Sequence, residues 1–251
     1  MNAALSNACG SFMLAKQNTF DLRYRFASEH ATDAPLYLVP GITGDNSLYG
    51  CEWEFLIEKA AAGAVLYVSM DNCAMTMIPT LFGVETAGRE MRTAPAVVEL
   101  GGEKFSIPAE IKTTLNVLDA EVLAREEDGN PVFVRKRYGK GWCYLLTLPL
   151  EKHAGSLPGA FHKPEQPAWR KFYAPLAEHV KDRRRVFCGN PLVTLTEHPE
   201  KDGLCRAVAV NNHKETAVLR FETAPGWRIE GGNFSEIPPF TGKVLTLVRE
   251  G

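Results

Sequence analysis

Apolar positions along this 251-residue chain keep one rhythm as far as Ser69 and then change to another. Two unbroken apolar runs, Leu36–Val39 and Val65–Val68, flank a segment in which Trp53, Leu56, Ile57 and Ala60 recur at helical spacing beside Glu54 and Glu58. Unbroken runs suit strands covered on both faces, and the helical period predicts one apolar stripe facing them. Pro40-Gly41 is expected to end the first strand, and Gly44-Asp45-Asn46-Ser47 supplies loop and helix-start chemistry. Gly63 reads as the helix C-cap. Together these predict a βαβ unit, whose right-handed crossover places both strands in one parallel sheet.

Upstream, Leu5, Cys9, Phe12 and Met13 follow a helical spacing that Gly10 interrupts. Asp21–Phe26 alternates Leu22, Tyr24 and Phe26 against Arg23 and Arg25, the pattern of a strand with one wet face. After Ser69, Ile78–Val84 predicts a short helix, and Val97–Leu148 reads mostly as strands. Hairpin turns are expected at Leu100-Gly101-Gly102-Glu103, at Glu126–Asn130 and at Tyr138-Gly139-Lys140-Gly141. The segment from Lys152 to Pro167 reads as a loop. Trp169, Phe172, Tyr173, Leu176 and Val180 predict an amphipathic helix, bent or started late by Pro175 and closed by Lys181 and Arg183–Arg185.

From Val186 the pattern is all-β, with strands expected at Leu192–Thr196, Arg206–Val210, Ala217–Phe221, Trp227–Glu230 and Val244–Val248. A hairpin is expected at Asn211–Lys214. The expected architecture is an α/β domain with an antiparallel extension over residues 1–185, then a small antiparallel, sandwich-like β domain over 186–251.

Composition narrows the function classes. A net charge of -2 gives no footprint for nucleic acid or an anionic membrane surface. No apolar run approaches the length of a membrane span. Asn2–Lys16 lacks the basic start and long apolar core of a secretory leader, so an intact chain is expected in the cytoplasm. In a portion of a longer protein that absence carries no information. Cys9, Cys51, Cys73, Cys143, Cys188 and Cys205 are far apart, without a CxxC pair, and read as free thiols, several of them buried.

Several stretches carry a family likeness. LYLVPG at 36–41, Trp53 and Leu56, GAVLYVS at 63–69, LFGV at 81–84 and YGKGWCYLLTLPLE at 138–151 resemble the class I glutamine amidotransferase-like domain that follows the catalytic barrel in several glycoside hydrolases. The nearest example is the beta-galactosidases with a trimerisation domain. AVAVNNHKETAVLRFE at 207–222 is similar to their small C-terminal β domain. The resemblance implies a flavodoxin-like first domain. It also implies a (β/α)₈ barrel upstream carrying two catalytic carboxylates. Such a barrel takes about 250 residues, and this chain has no room for one before Leu36.

Active amidotransferases of this fold place a cysteine in a G-x-C-x-G elbow after the second strand, where close backbone approach leaves no room for Cβ. The matching letters are Tyr67-Val68-Ser69-Met70-Asp71, with both glycines gone and serine in the cysteine position. Their His-Pro-Glu motif matches Leu148-Pro149-Leu150-Glu151, which lacks an imidazole. The His198-Pro199-Glu200 sequence lies in the β domain beside Lys201-Asp202-Gly203 and reads as a hairpin turn. Cys73 has no base placed beside it by the sequence.

His30, His153, His162, His179, His198 and His213 show no ligand spacing, so neither a metal nor another cofactor is expected. Gly41–Asp45 lacks the lysine and glycines of a phosphate loop. Glu126, Glu127 and Asp128 read as one solvated turn, and Trp142 and Trp227 as packing rather than sugar-stacking aromatics.

No catalytic residue is therefore assigned. The first expectation is a non-catalytic accessory and oligomerisation region whose partner is an upstream barrel of the same protein or a neighbouring subunit. The alternative is a carbohydrate-binding module whose contacts, at the C-terminal ends of the parallel strands, are Gly41, Ser69 and Asp71. An amidohydrolase using Ser69 or Cys73 is the least supported.

Overall fold

The structure, a computed structural model, describes residues 3–25, 32–44, 47–159, 167–200 and 203–250. Phe26, His30, Asp45, Asn46, His162, Lys201 and Asp202, invoked above, lie outside the described residues, as does 160–166 of the expected loop. The chain divides into two compact units, one made of 1–11 and 24–156 and the other of 12–23 and 157–251.

In the first unit, β1 (Leu36–Ile42), α2 (Gly50–Ala62) and β2 (Val65–Met70) form the expected βαβ unit, following α1 (Ala3–Lys16). β1 runs parallel to β2, with Leu38 opposite Tyr67. Every residue of β2 is buried, as its apolar run requires. α2 presents Trp53, Leu56 and Ala60 to a core that also holds Leu66, Val68, Cys143 and Leu145. Gly63 closes the helix, its N–H bonding to the carbonyls of Lys59 and Ala60.

Two local expectations fail here. β1 does not end at Pro40-Gly41 but shifts register between Val39 and Ile42 and continues. Proline has no N–H for the ladder and Gly41 sits at φ +63°, so the pair makes a bulge. α2 starts later than the Gly44–Ser47 stretch suggested, with Tyr49 at the N-cap, its N–H bonded to Glu52 Oε2 at 3.0 Å. The Ser47 hydroxyl is engaged instead by the Thr43 N–H at 2.9 Å.

Beyond α3 (Ile78–Phe82) come β3 (Val84–Met91), β4 (Ala96–Leu100), β5 (Glu103–Ile107), β6 (Ile111–Val117), β7 (Glu121–Glu126), β8 (Pro131–Tyr138), β9 (Gly141–Leu146) and α4 (Leu150–Ser156). The main sheet is mixed, in the order β1-β2-β9-β8-β7-β4-β5. β9 is parallel to β2, and from β9 onward every pairing is antiparallel. The three expected hairpin turns join β4 to β5, β7 to β8 and β8 to β9. β3 was not anticipated, because its mostly polar sequence leaves six of eight residues exposed; it pairs with β6 as a separate ribbon.

Three longer segments also depart from expectation. Residues 21–25 form no strand among the described residues. Their alternation reflects individual engagements: Tyr24 donates to the Ala8 carbonyl, and Arg25 pairs with Glu52. Leu150–Ser156 is a helix where a loop was expected from Lys152. The stretch from Trp169 to Val180 is not one helix. It breaks into a 3₁₀ turn at Trp169–Phe172 and α5 (Ala174–Ala177), then a further 3₁₀ turn at Lys181–Arg183. Pro175 withholds the N–H that a continuous helix needs.

The second unit contains β10 (Val186–Phe187), β11 (Val193–Pro199), β12 (Leu204–Asn211), β13 (Ala217–Arg220), β14 (Glu222–Thr223), β15 (Trp227–Ile229), β16 (Phe234–Ile237) and β17 (Gly242–Arg249). One sheet has the order β11-β12-β17-β15, and β13-β16 and β10-β14 are two-stranded. Val193, Leu195, Ala207, Leu219, Ile237 and Leu247 share one core. Asn211–Lys214 is not a hairpin turn, since β12 pairs with β11 and β17 while β13 pairs with β16. The Asn211 side chain instead donates to the carbonyls of Glu215, Ile237 and Pro238, tying the connection down. His198-Pro199-Glu200 leads into the turn between β11 and β12, where the Glu200 N–H bonds to the Leu204 carbonyl at 2.9 Å.

Candidate functional site at the ends of the parallel strands

Gly41, Ser69 and Asp71 come together where β1 and β2 end. The bulge turns the Gly41 N–H out of the ladder and onto Ser69 Oγ, at 2.7 Å. That hydroxyl donates in turn to Glu151 Oε2 at 2.6 Å, and the Tyr67 hydroxyl donates to Glu151 Oε1 at 2.6 Å. Ser69, Tyr67 and Glu151 each have 0% exposure. Asp71 anchors its N–H on the Ile42 carbonyl and takes the Lys152 ammonium on both carboxylate oxygens, at 3.0 and 3.1 Å.

Glu151 and Lys152 face the strand ends because they open α4. The sequence placed Glu151 opposite the family's His-Pro-Glu, but its tie to Ser69 and Tyr67 was not read there. Both are polar groups that burial requires to be paired, and a fully buried tyrosine on β2 was the available signal.

α1 closes the site from above. A Cβ added at Gly10 would overlap the Glu151 carbonyl oxygen and stand 2.8 Å from Gly155 N; one added at Gly155 would overlap the Ser6 carbonyl and stand 2.8 Å from Gly10 N. α1 and α4 therefore cross in backbone contact at two glycines, with Ser6 and Ser156 hydroxyls 3.3 Å apart beside them. Gly10, expected to interrupt the helix, is the residue that lets it seat. Asn7, 7% exposed, lies over Gly41 with Nδ2 3.4 Å from its carbonyl, and a Cβ at Gly41 would collide with the Asn7 amide. Asn7 Oδ1 is buried with no hydrogen-bond partner among the described residues.

Chemically, this is a filled turn. A serine nucleophile needs a base, an oxyanion site and a path for substrate. The Ser69 proton is directed at a carboxylate, no imidazole intervenes, and all three groups are sealed. His153 follows on α4, where burial and then Lys152 push its pKa down. Cys73 donates to the Ile42 carbonyl at 3.2 Å, and burial pushes its thiol up to about 11, far from a reactive thiolate at neutral pH.

The other candidates also resolve. Trp142 lies under the guanidinium groups of Arg135 and Arg137, at 5.0 and 5.3 Å, and Trp227 under Arg185 at 5.1 Å. Glu126 is not solvated: it is 8% exposed and clamped by both terminal nitrogens of Arg92, at 2.6 and 2.7 Å. Glu127 and Asp128 pair with Lys104 and Lys112. All six cysteines are free, with Cys73, Cys143 and Cys205 buried. Among the described residues no group of three or more His, Cys, Asp or Glu is placed to hold a metal. No helix among them is long and apolar enough to cross a membrane.

No family model matches this chain, and no curated protein does. Solved structures do. A GH42 beta-galactosidase from G. stearothermophilus superposes over 99% of this chain with a TM-score of 0.68 at 14% identity. The beta-galactosidase from Bacillus circulans sp. alkalophilus covers 99% with a TM-score of 0.70 at 12% identity. The alpha-L-fucosidase isoenzyme 2 from Paenibacillus thiaminolyticus covers 96% with a TM-score of 0.63 at 10% identity. The match takes in only 37%, 38% and 44% of those chains respectively. At such identities the likeness is one of fold: essentially the whole of this chain has the fold of somewhat over a third of a GH42 beta-galactosidase.

Proposed function

We propose that this chain is a non-catalytic accessory and oligomerisation region of a glycoside hydrolase, whose catalytic barrel belongs to another part of the same protein or to a neighbouring subunit. The observation that carries this reading is a fold shared, over almost the full chain, with part of the beta-galactosidases, in which the strand-end position that matches the amidotransferase nucleophile is filled by the buried cluster of Tyr67, Ser69 and Glu151. Within the proposal, the first unit is a degenerate, flavodoxin-like amidotransferase domain. Three parallel strands support that, with Ser69 next to the last residue of the middle one and Glu151 following the third. The purified chain is expected to release no chromophore from nitrophenyl β-galactosides and to sediment as an oligomer. Turnover that survives rigorous purification, or a strictly monomeric species, would overturn the corresponding half of the reading.

The second reading keeps the strand ends as a small-carbohydrate site built from Gly41, Ser69 and Asp71. It has one observation in its favour, the unpartnered Asn7 Oδ1 over Gly41. Asn7 would have to withdraw to admit a ligand. Titration with galactose and glucose, followed by tryptophan fluorescence, tests it; a flat response leaves the accessory reading alone.

A further inference from the structure

The ribbon of β3 and β6 leaves one edge of β6 that neither reading uses. Residues along a strand turn their backbone N–H and C=O groups alternately to its two sides. Just outside β6, the Leu118 N–H bonds to the Gly83 carbonyl at 2.9 Å and the Glu110 carbonyl accepts the Arg92 N–H at 2.8 Å, so the even-numbered residues face β3. The odd-numbered residues face away, and two side chains meet some of them. The Ile111 carbonyl accepts Arg92 Nε at 3.2 Å, the Thr113 carbonyl accepts Asn130 Nδ2 at 3.0 Å, and the Leu115 N–H donates to Asn130 Oδ1 at 3.1 Å. Past Asn130, the Leu115 carbonyl and both backbone groups of Val117 have no partner among the described residues. Val117 is 41% exposed, so this end of the edge is open.

The edge borders a solvent-open groove of about 600 Å³, lined on one side by Lys112 and 114–117 of β6 and on the other by Arg125 and 128–131 of the turn between β7 and β8. Four consecutive residues of β6 line it, although alternate side chains of a strand point to opposite faces. A wall of that kind is a strand met edge-on. Asn130, from the far wall, spans the gap at one end with its side chain alone. The groove is therefore narrow: a single extended chain can lie in it, and the edge of a folded second copy cannot.

The far wall carries one unmatched charge. Lys112 is met by Asp128 and Glu90, and Asp128 by Lys112. Arg125 is exposed and donates through Nη1 to the Gly129 carbonyl at 2.7 Å. Its cross-strand neighbour Glu99 makes no ion pair with it, nor does any other carboxylate among the described residues. Native edge strands are ordinarily covered or blunted, because their unpaired groups invite another chain. Arg92 and Asn130 cover this one only as far as Leu115.

We propose that the outer edge of β6 is a docking site for an extended segment of a partner polypeptide, which adds as a strand past Asn130 and sets an acidic side chain on Arg125. Only another peptide backbone offers acceptor and donor groups at a strand's own spacing, and the Asn130 amide already pairs with β6 as a peptide group would. A free anion would answer Arg125 and leave the edge unpaired. The carboxylate supplies the charge, and its planar form matches the guanidinium donors that Gly129 does not use. This docking site is independent of the accessory reading and stands or falls separately.

The test uses the full chain and a fluorescein-labelled hexapeptide of alternating valine and threonine with one central glutamate, followed by fluorescence anisotropy. Saturable binding is expected, with half-saturation below about 1 mM. Glutamine in place of the glutamate, or Arg125→Gln in the protein, should weaken it about tenfold. N-methylation of the central residues keeps every side chain, removes the pairing donors and should abolish binding. Val117→Pro removes only the outward N–H, a change that a strand edge tolerates, and should weaken binding about fivefold. In hydrogen exchange, the Val117 amide should be unprotected in the free chain and at least about tenfold slower with saturating peptide. No saturable binding, equal binding of the N-methylated peptide, or a Val117 amide already protected in the free chain would each overturn the assignment. So would oligomers of the chain that Val117→Pro dissolves, which would give the edge to a second copy. The two peptides on the unaltered protein decide the matter even if Val117→Pro fails to fold.

Discussion

Replacing Gly155 with alanine adds one methyl group where α4 meets α1. In an exposed helix that change is favourable by about 1 kcal/mol, since glycine is the poorer helix former. Here the new Cβ would overlap the Ser6 carbonyl and stand 2.8 Å from both Gly10 N and the Ser6 carbonyl carbon. Ordinary carbon contacts are roughly 3.5–4.0 Å, and every atom it meets is backbone, so no side chain can step aside. The helices must separate, pulling Asn7 off Gly41 and loosening the turn of α4 that carries Glu151. Overpacking of this kind costs about 1–3 kcal/mol, and backbone contact on both sides argues for the upper end. After the helix-propensity gain, a net loss of about 2 kcal/mol is expected. Gly88→Ala is the control, because nothing lies within 4 Å of its Cβ position and its φ is unexceptional. Urea titrations of the three proteins, with hydrogen exchange at the amides of α1 and α4, provide the measurement. A Gly155→Ala protein as stable as the parent, with α4 amides equally protected, would refute the seating of α1 on α4 and with it the sealed site.

Arg92→Ala strands Glu126 in a buried position and should cost about 3–5 kcal/mol in chemical denaturation, whereas Lys104→Ala, at an exposed pair with Glu127, should cost under about 1 kcal/mol. His153 has its pKa lowered by burial in the folded chain, so as pH falls below about 6.5 the unfolded chain takes up the proton first. Stability should therefore decline as pH falls from about 6.5 through the lowered folded value, and His153→Gln should flatten that decline in denaturation midpoints measured across the window. In native protein Cys9 and Cys51, the exposed thiols, should react quickly with a disulfide reagent, while Cys73 and Cys143, pushed up to about 11 and about 12, should react only on unfolding. Mass spectrometry of the labelled protein checks the assignment.

Much of the scaffold was legible because its causes are local. Val65–Val68 is the strand covered on both faces that its apolar run announced, and Trp53, Leu56 and Ala60 already defined the stripe that α2 buries, whereas Leu36–Val39 forms a strand but only a half-buried one, because it lies at the sheet edge. The glycine turns before β5, β8 and β9 announced hairpins through backbone conformation alone. Local signals misled where a distant partner decides. Leu150–Ser156 read largely as loop because Gly155 disfavours a helix, but that glycine is what allows contact with Gly10, far away in sequence. Glu126 read as solvated beside Glu127 and Asp128, until the chain brought Arg92 onto it.

The site at the strand ends divides in the same way. The sequence by itself determined that the elbow glycines are missing, that serine replaces cysteine and that no imidazole stands at Leu148–Glu151. These are facts of composition at given positions, independent of folding. Only the tertiary structure decided what occupies the vacated chemistry, because a buried hydroxyl must find its partner through space rather than along the chain. Ser69 and Tyr67 find Glu151 more than eighty residues away, and α1 comes down over Gly41 to close the cluster.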